Sequence, residues 1–278
     1  MKNLEQFTRR KNLVIGAIVT VVMVIIAIFA PLIAPYDPIY DADLMVAEEP
    51  PSLSYIFGTD DQGRDIFSRV VYGARISLSV GLISQLMNSI IGITLGLLAG
   101  YFGKWVDDLI MGLTNIMLSI PSIIFALAIM ALLGPGLINV FIALGFTNWS
   151  YTCRITRSQA LYTKNLNYVN ASRALSYSEV NIMFTQILPN IVGPILVIAT
   201  LGISGAILIE ASLSFLGLGT QPPTPSWGGM LATAREQLFT APWISIFPGM
   251  FIFLTVLGLN LLGDGLRDLL DPHTSQRK

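Results

Sequence analysis

Charge is what this sequence has least of. Only 12% of its 278 residues are Asp, Glu, Lys or Arg, against 53% hydrophobic, and the mean hydropathy is +0.68. A soluble domain carries about 25% charged residues, so this class is excluded at the outset. Cysteine is nearly absent too: Cys153 stands alone, which rules out an internal disulfide and any CxxC metal or redox motif. His273, next to Pro272 near the C-terminus, is the only histidine, so histidine-based metal binding and acid–base chemistry have almost nothing to work with. A G-x-x-x-x-G-K-[ST] phosphate loop is also missing. The only Gly-Lys pair, Gly103-Lys104, runs into Trp105 and lacks the upstream glycine. No cofactor or metal is expected in the chain.

What the sequence has is long apolar runs. A spanning helix needs about 20 apolar residues. Residues 13–34 carry no charge and follow Arg9, Arg10 and Lys11; the run exceeds the apolar core of a signal peptide and reads as a first, uncleaved span. A second lies near 76–101. Residues 109–153 are again free of charge, too many for one crossing, and Gly134-Pro135-Gly136 interrupts them; two antiparallel spans joined by a tight turn are expected. A fifth covers about 191–213, with Glu210 inside it, and a sixth about 243–262.

Six crossings put both termini on one side, and the excess of Lys and Arg on cytoplasmic segments identifies that side. On this topology Lys2, Arg9, Arg10, Lys11, Lys104, Arg154, Arg157, Lys164, Arg173, Arg267, Arg277 and Lys278 are cytoplasmic, while only Arg64, Arg69, Arg75 and Arg235 are outside. The expected division is a cytoplasmic tail 1–11, a first span 12–34, an outer loop 35–74, a five-span core 75–265 and a cytoplasmic tail 266–278. The core contains a cytoplasmic loop at about 154–189 and an outer loop at about 214–242. Trp105, Trp149, Trp227 and Trp243 fall near span ends, where amphipathic rings rest at the interface.

The cytoplasmic loop holds the stretch "YVNASRALSYSEVNIMFTQILPN" at 168–190. Its first eight residues have fair helix propensity. Ser176-Tyr177-Ser178-Glu179 has the S-x-x-E form of a capping box, from which a second helix would run to Leu188 and bend at Pro189. Two readings stand: an ordinary amphipathic connector, or a stub helix gripped by a partner that moves the spans as levers.

Outside, "GTDDQGRD" lacks the D-x-[DN]-x-[DN]-G spacing of a calcium loop. It reads either as a turn with Thr59 or Asp60 capping a helix and Arg64 paired to a carboxylate, or as a gate or contact surface built on Asp60, Arg64 and Asp65. Glu210 is an ionisable group within a span and hence a candidate for lining a substrate path, although its place near the outer end would also let it reach water or a partner's arginine. Gly202-Ile203-Ser204-Gly205 matches the G-x-S-G of rhomboid-type intramembrane proteases, but His273 belongs to a cytoplasmic tail and no base is within reach; close helix packing explains the small residues. Gly263-Asp264-Gly265 lacks the upstream glycine of aspartyl intramembrane proteases. A secondary transporter would show internal repeats and intramembrane coupling charges, and Glu210 alone is a poor match.

The cytoplasmic stretch resembles the EAA loop of ABC-transporter permeases, with Asn170 in place of the usual Glu, Ala171 matching, Ser172 for Ala, Ser176 for Gly, and Ile187-Leu188-Pro189-Asn190 matching the ending. "FGTDDQGRDIFSRVVYGARISLSVG" at 57–81, "EASLSFLGLGTQPPTPSWGGML" at 210–231 and "NLLGDGLRDLLDP" at 260–272 resemble the C-type permeases of the dipeptide, oligopeptide and nickel importers. The resemblance implies an all-α, six-span type I importer permease in the bacterial inner or plasma membrane, surrounded by lipid. It implies a second homologous permease as heterodimer partner, two ATPase subunits carrying ATP and Mg, and an extracytoplasmic substrate-binding protein, with no nucleic acid. The cargo would be di- or oligopeptides, or alternatively nickel or a metal chelate. Asn170, Ala171, Ser172, Arg173, Ala174, Leu175 and Ser176 would form the helix that couples to the ATPase, with Arg173 its leading charge. At position 176 glycine would permit a left-handed backbone that serine resists; Ser176 is therefore expected to cap the next helix instead.

Overall fold

Charge-free backbone in lipid can satisfy its N–H and C=O groups only within helices or closed barrels, and here it forms helices. The computed structural model describes residues 2–270; His273 and the end of the expected C-terminal tail lie outside them. In chain order the helices are α1 Lys2–Ile28, α2 Ala30–Ile33, α3 Ile66–Phe102, α4 Lys104–Ser119, α5 Ser122–Leu133, α6 Leu137–Gly145 and α7 Trp149–Thr163. They continue with α8 Asn167–Ala174, α9 Glu179–Asn181, α10 Leu188–Phe215, α11 Trp227–Thr233 and α12 Trp243–Leu270. A π-helical turn, Ile182–Ile187, joins α9 to α10. Among the described residues there is no strand, only an antiparallel bridge between Thr59 and Asp65.

Among the described residues four helical stretches are long and apolar enough to cross a bilayer: Lys11–Ile28, Ile66–Phe102, Glu179–Phe215 and Trp243–Leu270. A fifth forms if α4 and α5, bent by 89°, count as one span. Within 109–153 the chain is broken by the expected turn at Gly134-Pro135-Gly136, and the helix on each side of it is itself interrupted. Pro121 has no N–H to donate, and α4 stops two residues before it, at Ser119; the Gly134-Pro135-Gly136 turn then separates α5 from α6. Asn88, buried in α3, fixes the next break. Its amide donates to the Leu144 carbonyl (3.1 Å) and its oxygen accepts from the Asn148 N–H (3.0 Å), so the end of α6 and the start of α7 are both satisfied.

The 37-residue α3 is the central rod, about 55 Å long at 1.5 Å per residue. Lipid tails are as apolar as leucine, so helices in a membrane associate through close packing rather than through hydrophobic exclusion. Accordingly, Gly92, Gly96 and Gly100 turn one face of α3 to α7; a Cβ at any of them would come within 2.7 Å of α7. On the other side of the molecule α12 packs on α1 through Gly258 and Gly265, where added Cβ atoms would meet Val19 and Leu13. Gly202 of α10 makes room for Gln85, and Ser204 donates to Asn260 of α12 (2.8 Å), so the G-x-S-G motif serves packing.

The tryptophans divide. Trp105 is exposed, but Trp227 is fully buried rather than resting at an interface. Its indole N–H donates to the Val70 carbonyl (2.9 Å), within an apolar cluster of Met23, Ile66, Met230, Ile244 and Phe251. The segment "QPPTPSWGG" leads straight into α11, which Ser226 caps through the Gly229 N–H. Two further readings are corrected at α10 and α12. Pro189 does not bend the chain away: it sits in the first turn of α10, where its missing N–H costs little, behind the wider π turn. Residues 266–270, expected in a tail, continue α12.

Candidate functional site

α8 is an eight-residue helix between α7 and α9. Val169 and Ser172 face inward, and Asn170, Ala171, Arg173, Ala174, Leu175 and Ser176 are exposed. The helix ends in a Schellman motif: the Ser176 N–H donates to the Arg173 carbonyl (2.9 Å) and the Tyr177 N–H to the Ser172 carbonyl (3.2 Å). This requires a left-handed residue at 176, and Ser176 takes it, with φ +59°. The expected role of Ser176 as cap of the following helix is therefore overturned. Ser178 is that cap, its hydroxyl accepting from the Asn181 N–H (3.3 Å). Capping from Ser178 leaves Ser176 free to close α8.

The stub is anchored from below by the end of α3. The Tyr101 hydroxyl donates to the Glu179 carboxylate, and the Arg173 guanidinium lies 5.4 Å over the Tyr101 ring while also donating to Asn170 (3.2 Å). Lys164, at the end of α7, donates to the carbonyls of Gly100 (2.7 Å) and Tyr101 (3.2 Å), placing a cation where the α3 dipole is negative. Burial, then the charge of Arg173, pushes the Lys164 ammonium below its ordinary range. Val169, Tyr101, Leu97, Ile182, Ile187 and Ile191 form the apolar floor. Beside α8, Leu175 (69% exposed), Tyr177 (50%) and Val180 (60%) are open to their surroundings. Arg173 is thus committed to Tyr101 and Asn170 rather than standing as a free charge. Tyr101 and the apolar trio were missed in the sequence, where Tyr101 marks only the end of an apolar run.

The outer residues form a different structure. Asp60 is buried; its Oδ1 accepts from the N–H groups of Gln62 (2.9 Å) and Arg64 (3.0 Å), and its Oδ2 faces Nε of Arg64 (2.8 Å) and of Arg69 (3.3 Å). Arg69 also donates to the Pro38 carbonyl (2.7 Å). The expected pairing of Arg64 with a carboxylate is present, but the helix cap is Asp65, which accepts from the Ser68 N–H (2.8 Å), not Thr59 or Asp60. Asp60, Arg64 and Asp65 are brought together, tying the turn to the start of α3. Glu210 lies far from them along the chain and is wholly enclosed. It accepts from Ser214 (2.7 Å) and, at 3.5 Å, from Ser77, whose oxygen in turn accepts the Trp227 N–H (3.3 Å). With no accessible surface in this chain, it links α3, α10 and α11. Among the described residues no group of three or more His, Cys, Asp or Glu is arranged to hold a metal.

Residues 92–276 match the family model described as binding-protein-dependent transport system inner membrane component. The chain belongs to that family. Residues 3–51 of this permease match a second model, the N-terminal TM domain of oligopeptide transport permease C. The permease is 46% identical over 270 residues to the dipeptide transport system permease protein DppC of Alkalihalophilus pseudofirmus, covering 96% of this chain and 88% of that one. It is 46% identical over 275 residues to the di/tripeptide transport system permease protein DppC of Pseudomonas aeruginosa (96% and 90% covered). To the glutathione transport system permease protein GsiD of Pectobacterium atrosepticum it is 42% identical over 268 residues (96% and 89%). In three dimensions it is similar to a chain of the MetNI methionine ABC transporter in an inward-facing form, with TM-score 0.58 at 18% identity, covering 73% of this chain and 96% of that one. The permease is an all-α, multi-pass inner-membrane subunit of an ABC importer with the type I importer permease fold.

Proposed function

We propose that this permease pairs with a second, homologous permease to form a pathway for di- or oligopeptides, driven by two ATPase subunits that hold ATP and Mg. The peptide cargo is supported by relatives named for dipeptide, di/tripeptide and glutathione transport. The observation that carries the coupling role is the stub at 170–176: a capped helix, anchored on α3, that leaves Leu175, Tyr177 and Val180 exposed beside it. Small apolar anchors on a rigid projection suit a groove on a partner. Both termini and the stub are cytoplasmic in this reading, with α6 and α7 together supplying a sixth crossing, and an extracytoplasmic binding protein delivers cargo to the outer face.

Energy enters only through differential affinity. Closure of the ATPase pair on ATP favours whichever arrangement of the spans holds the stubs closer together. The test is uptake of labelled dipeptide into vesicles containing the full complex, with residues 170–176 replaced by a Gly-Ser linker of equal length. ATP-driven uptake is expected to vanish, and the ATPase subunits to dissociate more readily. Uptake at the unaltered rate overturns the proposal.

A further inference from the structure

We infer that Tyr101 is a positioning residue for coupling, a latch through which the stub moves the end of α3. The inference rests on the docking role proposed above and adds the route by which motion leaves the stub. One side chain touches both sides of the kink at Ser176: its ring lies under Arg173 of α8, and its hydroxyl donates to Glu179 at the start of α9. This hydrogen bond joins 167–181 to α3. Ion pairs and cation contacts on an open surface are weak because both partners wander and water competes. Here the floor of the contact is fixed. Tyr101 is 7% exposed, packs with Leu97, Val169 and Ile182, and has its own carbonyl held by Lys164.

Burial of the ring needs only a phenyl group; the hydroxyl adds a charge-assisted bond to Glu179 and a contact with Arg173. Because α3 is one unbroken helix, displacement at Tyr101 is carried to Asp65, Ser77 and the outer cluster on Asp60. Removing the hydroxyl therefore separates two quantities that ordinary misfolding would lower together: hydrolysis by docked ATPase subunits, and cargo moved for each ATP.

The experiment uses the whole complex with its binding protein, measuring co-purification of the ATPase subunits, hydrolysis, and dipeptide imported per ATP. In Tyr101→Phe and in Glu179→Ala the subunits remain bound and hydrolyse ATP, while import per ATP falls by about fivefold. Glu179→Gln, whose amide oxygen still accepts the hydroxyl, stays close to the unaltered ratio. The Tyr101→Phe/Glu179→Ala double variant is no worse than either single one, as for two ends of one contact. An unchanged ratio in the single variants, additive losses in the double, failure of Glu179→Gln to rescue, or dissociation of the ATPase subunits each overturns the latch. Full-rate uptake after the linker replacement at 170–176 removes the docking role and the latch with it, whereas a latch that fails alone leaves docking standing.

Discussion

At Ser176 the backbone occupies a region that costs an L-residue roughly 1–2 kcal/mol and that glycine enters freely. Ser176→Gly is therefore expected to protect the loop, seen as slower proteolysis between 167 and 182, with ATP-driven uptake retained. The sequence displayed this site only halfway. Ser176 and Ser178 both stand in positions to cap a helix, and the choice between them depends on where α8 ends, which burial of Val169 and Ser172 decides. Glu210 was legible as an unusual residue but not as a buried one, because the hydroxyls that surround it come from positions as distant as Ser77. Glu210→Gln keeps an acceptor for Ser214 and is expected to assemble and transport normally. Glu210→Ala strands that hydroxyl and opens a gap, at a cost of about 1–3 kcal/mol that should appear as a lower melting temperature in detergent.

Helices depend on contacts whose partners are remote in sequence. Existence and class of the apolar elements were readable from charge-free runs, and the stub helix from its polarity. The break at Pro121 was not singled out, since the residues on either side have the same composition and the glycine–proline turn further on is the stronger local signal. The π turn likewise has no sequence mark apart from Pro189. The glycines of α3 carry the clearest prediction at this level. A Cβ on Gly96 would stand 2.6 Å from the Cys153 carbonyl, which is backbone and cannot step aside. Gly96→Leu should push α7 from α3, sharply reducing folded yield, whereas Leu at Gly112, with open space around it, should leave yield unchanged. Arg157 and Asp107 join α7 to α4 through paired hydrogen bonds. Asp107→Asn removes that charge partner and is expected to loosen α4, detectable as faster labelling of a cysteine placed at Ile110.

As a whole the molecule exposes far more apolar surface than a protein in water tolerates: Leu32, Leu132 and Ile138 are each more than 70% exposed. Lipid covers such a surface, and under the pairing proposed above a second permease covers part of it; the chain expressed without that proposed partner is expected to aggregate on extraction. The membrane class was evident from composition alone, because hydropathy needs no knowledge of contacts. Which apolar faces turn inward was not evident, since spans that are apolar all round carry no stripe to read.

The strap from Pro38 to Asp65 and the seam between α1 and α12 bear on how the permease is divided. Kinship splits it into an N-terminal unit ending at residue 51 and a main unit beginning at residue 92. Cohesion does not follow that cut. Removing the first unit would lay bare the notches at Gly258 and Gly265 and take from Arg69 the Pro38 carbonyl it holds. The leading helix is accordingly no mere tether: severed near residue 51 and supplied as a separate polypeptide, it should find its seat again and co-purify with the remainder.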